Sequence, residues 1–198
     1  MKIALTGTHS TGKTTLLWGL AEAMPEYVVI SEQLRVAAKY LGLEKISDAP
    51  KKAGMFSMLQ WEGLRRQVNA EESAGENFIT DRAVLDYEIY YRYGIGNKDC
   101  PTIRAAYTNL VWNRLKEYDL IIYVPPNIPL VDDGVRHAEE GEPFRMEIDR
   151  LIQDKIFWGW ACCAEVFKLQ ESDREKRLKE CFDKILERRL LHGNYKAD

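Results

Sequence analysis

The chain has 198 residues, 45% hydrophobic and 30% charged, a make-up that excludes a disordered or low-complexity protein. Its 28 Lys and Arg against 31 Asp and Glu leave a net charge of −3, so there is no global basic footprint for duplex nucleic acid or an anionic membrane. No apolar run reaches membrane-spanning length and no leader pattern precedes the first strand, so the expectation is one cytoplasmic domain over residues 1–198.

In chain order, Ile3-Ala4-Leu5 marks a buried strand over Lys2–Thr6, and Leu16, Leu17 and Leu20 mark one face of a helix over Lys13–Met24. The turn between them is the most informative stretch of the sequence. Gly7-Thr8-His9-Ser10-Thr11-Gly12-Lys13-Thr14 fits G-x-x-x-x-G-K-[ST]. Its glycines let the backbone turn tightly and aim successive N–H groups at a polyphosphate, and the following helix adds its positive dipole end. Lys13 is placed to reach β- and γ-phosphates, and the Thr14 hydroxyl to join a Mg²⁺ shell, with His9, Ser10, Thr11 and Thr15 completing the cradle.

Further on, strands are expected at Tyr27–Ser31, Asn77–Asp81, Asp119–Val124 and, weakly, Val166–Leu169. Helices are expected at Gln33–Leu41, Ala53–Ser73, Ala83–Tyr93 and Thr102–Glu117. Another covers Pro143–Ala164, with Ile148, Leu151, Ile152, Ile156 and Trp160 on one face, and a last one covers Ser172–Leu191. Strands separated by helices require parallel crossovers, so the architecture is a three-layer α/β fold with a mostly parallel five-stranded sheet, and the glycine-lysine motif after its first strand makes it similar to the P-loop NTPase fold. Ligands then belong at the carboxyl ends of the strands. The charged stretch Pro125–Gly141 is long enough to form part of a lid, taken as about residues 126–150. Cys100, Cys162, Cys163 and Cys181 have no C-x-x-C spacing and read as buried free thiols rather than metal ligands or disulfides.

Three further constellations sit where chemistry is expected. "VISEQLR" puts Glu32 and Arg35 beyond the second strand, suited to taking a proton from an attacking hydroxyl and to holding an acceptor. "ITDR" puts Asp81 and Arg82 at the end of the third, suited to Mg²⁺ or acid–base work and to the acceptor. Downstream, Tyr87, Tyr90, Tyr91 and Tyr93 offer rings to a base, Tyr87 being the one chosen here. Arg136 and Arg145, in "VDDGVRHAEEGEPFR", can neutralise charge on a transferring phosphoryl group, although Asp132, Asp133, Glu139, Glu140 and Glu142 are also what a solvated loop contains.

Taken together and in this order, "TGTHSTGKTTL", "SEQLR", "ITDR" and "DDGVR…FR" resemble the P-loop nucleoside and nucleotide kinases. These include the nicotinamide riboside kinase, thymidylate kinase and deoxynucleoside kinase types. The resemblance covers almost the whole chain and implies Asp81 as a support for Mg²⁺ or acid–base chemistry, Arg136 and Arg145 as lid arginines, and the Glu32–Arg35 region as facing the acceptor. It departs after Val166–Leu169, where "QESDREKR" replaces a small-residue adenine loop and leaves Arg174 to cover the base.

The implied activity is ATP- and Mg²⁺-dependent phosphoryl transfer to a nucleoside, nucleotide or similar small molecule, with Glu32 or Asp81 as base. Alternatives are a kinase for a base or sugar hydroxyl in DNA or RNA, and an ATPase switch acting on a protein partner through the apolar Phe157, Trp158 and Trp160. The low charge disfavours a nucleic-acid acceptor. No membrane association is expected, and assembly as a homodimer is left open.

Overall fold

The computed structural model of the chain describes residues 1–51, 54–96, 98–129, 141–157 and 164–195. Five strands, β1 (Lys2–Thr6), β2 (Val28–Ile30), β3 (Phe78–Thr80), β4 (Leu120–Tyr123) and β5 (Glu165–Lys168), form one sheet in the order β2-β3-β1-β4-β5. All four pairings are parallel. The helices are α1 (Lys13–Ala23), α2 (Gln33–Tyr40), α3 (Met55–Ala74), α4 (Val84–Ile95), α5 (Pro101–Leu115), α6 (Gly141–Lys155) and α7 (Arg174–Tyr195). A short 3₁₀ turn over Ile46–Lys51, unanticipated from sequence, leads into α3.

Side-chain alternation along the strands builds two cores. Ala4, Ile121 and Tyr123 face a layer made by α2 to α6, whereas Ile3, Leu5, Leu120 and Ile122 face α1 and α7. Leu16, Leu17 and Leu20 of α1 are buried in the second core together with Cys181 and Ile185 of α7. This sandwich brings the carboxyl ends of all five strands to one edge, where β1 opens into the glycine-lysine loop.

One helix boundary differs from expectation. The helix read as Pro143–Ala164 runs from Gly141 to Lys155, followed by a π-type turn at Ile156–Phe157, and β5 is formed from Glu165. The apolar run has a helical period, but β5 must reach a parallel register with β4, which pairs Leu120 with Glu165. Trp158, Trp160, Cys162 and Cys163 lie outside the described residues. Cys181 is buried as expected, whereas Cys100 is exposed because it precedes the first turn of α5.

Among the described residues, no helix is long and apolar enough to cross a membrane.

Candidate active site

The loop between β1 and α1 is shaped by its backbone. Gly7 has φ +148°, and a Cβ there would stand 2.4 Å from the Val124 carbonyl oxygen, a backbone atom that no rotamer change can move aside. Gly12 caps α1 with φ +83°, and Ser10 holds φ +54° without the freedom of a glycine. Lys13 is buried and its Nζ donates to the Thr8 carbonyl and, at 3.2 Å, to Thr11 Oγ1. The His9 ring stacks on Phe144 of α6, with centroids 5.6 Å apart, and turns toward a cavity beside the loop.

Thr14 and Asp81 come together. The Thr14 hydroxyl, on the first turn of α1, donates to Asp81 Oδ2 at 2.7 Å, and the Asp81 amide is anchored to the Ile30 carbonyl. A hydroxyl and a carboxylate converging beside a phosphate loop form a hard-oxygen set that fits Mg²⁺ completed by phosphate and water. No group of three or more His, Cys, Asp and Glu able to hold a metal occurs among the described residues. Thr15 is exposed next to Thr14.

The cavity has a volume of about 530 Å³, and both Glu32 and Arg82 line it, whereas Asp81 does not. Arg82 Nε donates to Glu32 Oε1 at 2.7 Å, and Arg35 Nε donates to Glu32 Oε2 at 2.8 Å. Arg82 also donates through Nη1 to Asp86 Oδ2 at 3.2 Å, and the Thr6 hydroxyl donates to the other oxygen of Asp86. Burial pushes the Asp86 carboxyl above its ordinary range, opposed by the charges of Arg82 and Lys13. Asp86 is therefore a buried strut between the end of β1 and Arg82. It escaped sequence reading, although its spacing from Arg82 is the i,i+4 of a helical ion pair.

Of the four tyrosines, Tyr87, Tyr90 and Tyr93 line the cavity. Tyr87 is fixed by donating its hydroxyl to Gln67 Oε1 at 3.3 Å, and burial, then the charge of Glu32, raises its pKa well above normal. Tyr91 turns away to stack on Tyr107, with centroids 4.1 Å apart, and bonds Asp99 through its hydroxyl. Gln60 was also missed from sequence. It is 1% exposed, lines the cavity, and its Oε1 has no hydrogen-bond partner.

Arg145, expected on a mobile lid, is already seated. It is 1% exposed and donates through Nη2 to the carbonyls of Ser10, at 3.3 Å, and Ile128, at 2.8 Å, while Nη1 reaches Glu142. Arg136 lies outside the described residues, as do residues 130–140 of the expected lid. Arg174 is exposed at the start of α7. The arginine of α7 that meets the loop is Arg177, one turn on, which donates to the Thr11 carbonyl at 2.7 Å.

A family model described as an AAA domain matches residues 2–187. The chain belongs to that AAA-domain family. Its similarity to solved structures carries the same P-loop fold. The AAA-domain chain is 20% identical to deoxyadenosine kinase from M. mycoides with bound dCTP, covering 94% of this chain and 100% of that one with a TM-score of 0.66. It is 22% identical to the NadR protein in complex with NR, with a TM-score of 0.55 over 85% of this chain. It spans 45% of that NadR chain, less than half its length. No curated protein sequence matches this AAA-domain chain. The expected likeness to P-loop nucleoside kinases is borne out for family and fold.

Proposed function

We propose that the protein is an ATP- and Mg²⁺-dependent kinase that phosphorylates a hydroxyl of a nucleoside-sized small molecule. The observation that carries this reading is the cavity of about 530 Å³ beside the phosphate loop, with Glu32 in its wall. Such a volume suits a single small ligand. The acceptor reads as an uncharged alcohol rather than a phosphate because the buried guanidinium of the cavity, Arg82, is already matched by Glu32 and Asp86. An incoming phosphate would meet two carboxylates as well as the arginine. The deoxyadenosine kinase named for one similar structure, and the NR bound in the other, agree with this chemistry.

In this reading the loop amides hold the ATP phosphates, and phosphate oxygens take Lys13 Nζ from the Thr8 carbonyl and Thr11 hydroxyl. Thr14 and Asp81 hold Mg²⁺, which would neutralise the phosphate charge. Glu32, oriented by Arg82 and Arg35, removes the acceptor proton as its oxygen bonds the γ-phosphorus and the bond to ADP breaks. Arg145, at the Ser10 carbonyl, lies where it can take charge on the transferring group. Asp81 serves the metal and Glu32 the proton, a division supported by Glu32, and not Asp81, lining the cavity.

The test is transfer from γ-labelled ATP in a panel of nucleosides, nucleoside monophosphates and short single-stranded DNA. Label on a nucleoside supports the reading. Label on a monophosphate or the DNA contradicts the assigned acceptor, and label released only as phosphate favours an ATPase switch.

A further inference from the structure

Arg177 is 5% exposed, yet among the described residues its guanidinium has a single hydrogen bond, to the Thr11 carbonyl, and its Nε has none. No carboxylate lies within ion-pair distance among the described residues. Glu180, the acid one turn on, spends its oxygens on the amides of Gln170 and Glu171, and Asp173 caps the amides of Glu175 and Lys176. Burial accordingly pulls the Arg177 pKa below its ordinary value. Arg145, the other arginine on the loop, differs in having Glu142 as a partner at 3.2 Å. A buried guanidinium with one neutral acceptor is costly unless an anion completes it. The Arg177 Nη1 lies 3.2 Å from where a Cβ on Gly12 would stand, so the charge is against the loop itself.

We infer that Arg177 is a nucleotide-binding residue of the donor site, its guanidinium supplying the counter-charge to the polyphosphate from the α7 side of the glycine-lysine loop. This rests on the donor half of the proposed function and adds to it a residue from outside the loop and the lid. An arginine is suited to the role because its planar fork can keep the Thr11 carbonyl on one nitrogen and offer the others to phosphate oxygens.

The experiment is calorimetric titration of the full chain with MgATP and with MgADP, for the parent, Arg177→Lys and Arg177→Gln. The Lys variant keeps the charge, whereas the Gln variant keeps only a neutral donor for the Thr11 carbonyl. The expected result is binding of both nucleotides weakened about tenfold or more in R177Q and within about threefold of the parent in R177K, the scale of one charge-assisted hydrogen bond. Equal ATP affinity in the two variants would make Arg177 a prop for the loop backbone and overturn the inference. A parent that binds ATP but phosphorylates no acceptor would overturn only the kinase reading, and a parent that binds neither nucleotide would overturn both.

Discussion

Glu32, at the end of β2, and Arg82, just beyond β3, meet through a 2.7 Å bond between groups that are almost fully buried. The parallel pairing of β2 with β3, Ile30 opposite Thr80, brings together residues fifty apart in sequence. Arg82 holds the carboxylate from beneath, and Arg35 holds it from the solvent side with 43% of its side chain exposed. A carboxylate held at both oxygens has a fixed direction, which a general base requires.

Glu32→Gln keeps the shape and removes the basicity. It is expected to lower kcat about 10²–10⁴-fold. The KM for ATP should stay near the parent value, because Glu32 lines the cavity proposed for the acceptor, while it is Asp81 that bonds Thr14 beside the phosphate loop. Steady-state kinetics with both substrates varied checks the split; an unchanged kcat would assign the proton to another group.

Thr14→Val and Asp81→Asn each remove one side of the 2.7 Å contact beside the loop. Both variants are expected to need several-fold more Mg²⁺ for half-maximal rate, and activity should vanish with excess chelator and return with added Mg²⁺. Magnesium titrations at fixed ATP measure this. A parent-like magnesium curve in both variants would place the cation elsewhere.

The glycine-lysine loop was legible because its chemistry is local: eight consecutive residues carry the turn, the donors and the cation. Most strands were found to within a residue at each end, since the apolar runs at Ile3–Leu5 and Leu120–Tyr123 alternate between two cores. The Glu32–Arg82–Asp86 chain was only half legible. Its members stood out singly or not at all, and their meeting depends on which strands are neighbours, which no local period encodes. Arg177 went unread because its contact with the Thr11 carbonyl depends on how α7 packs against α1, which no local spacing encodes. The end of α6 was not legible for a related reason: a helical period marks which face is apolar, not where the helix stops, and the described helix ends at Lys155.

Glu71 of α3 is the clearest pH-sensitive element of the fold. It accepts from Gln67, Tyr118 and Arg114, and burial nevertheless raises its pKa above 4.5. Between the unfolded and folded values the native state binds the extra proton, so this contribution to stability is full below about pH 4.5 and lost as pH rises through the folded value. Urea unfolding across this range, compared with Glu71→Gln, is expected to show that falling component in the parent and its absence in the variant. Identical pH profiles would contradict it.

The two described cysteines should differ in reactivity. Cys100 is exposed, and hydrogen bonds from the Thr102 and Ile103 amides lower its thiol pKa, whereas burial raises that of Cys181 to about 12. Alkylation at neutral pH read by peptide mass spectrometry is expected to modify Cys100 within the native state and Cys181 only after unfolding. Equal labelling of both would show that α7 does not stay packed on α1.

The most direct measurement of the account is transfer of label from γ-labelled ATP to a nucleoside hydroxyl in the presence of Mg²⁺, with Lys13→Ala as the control. A labelled nucleoside monophosphate is expected with the parent, and a loss of about 10²-fold or more with the variant, whose far-ultraviolet circular dichroism stays native. Full transfer by Lys13→Ala, or ATP consumed with no acceptor labelled, would contradict it.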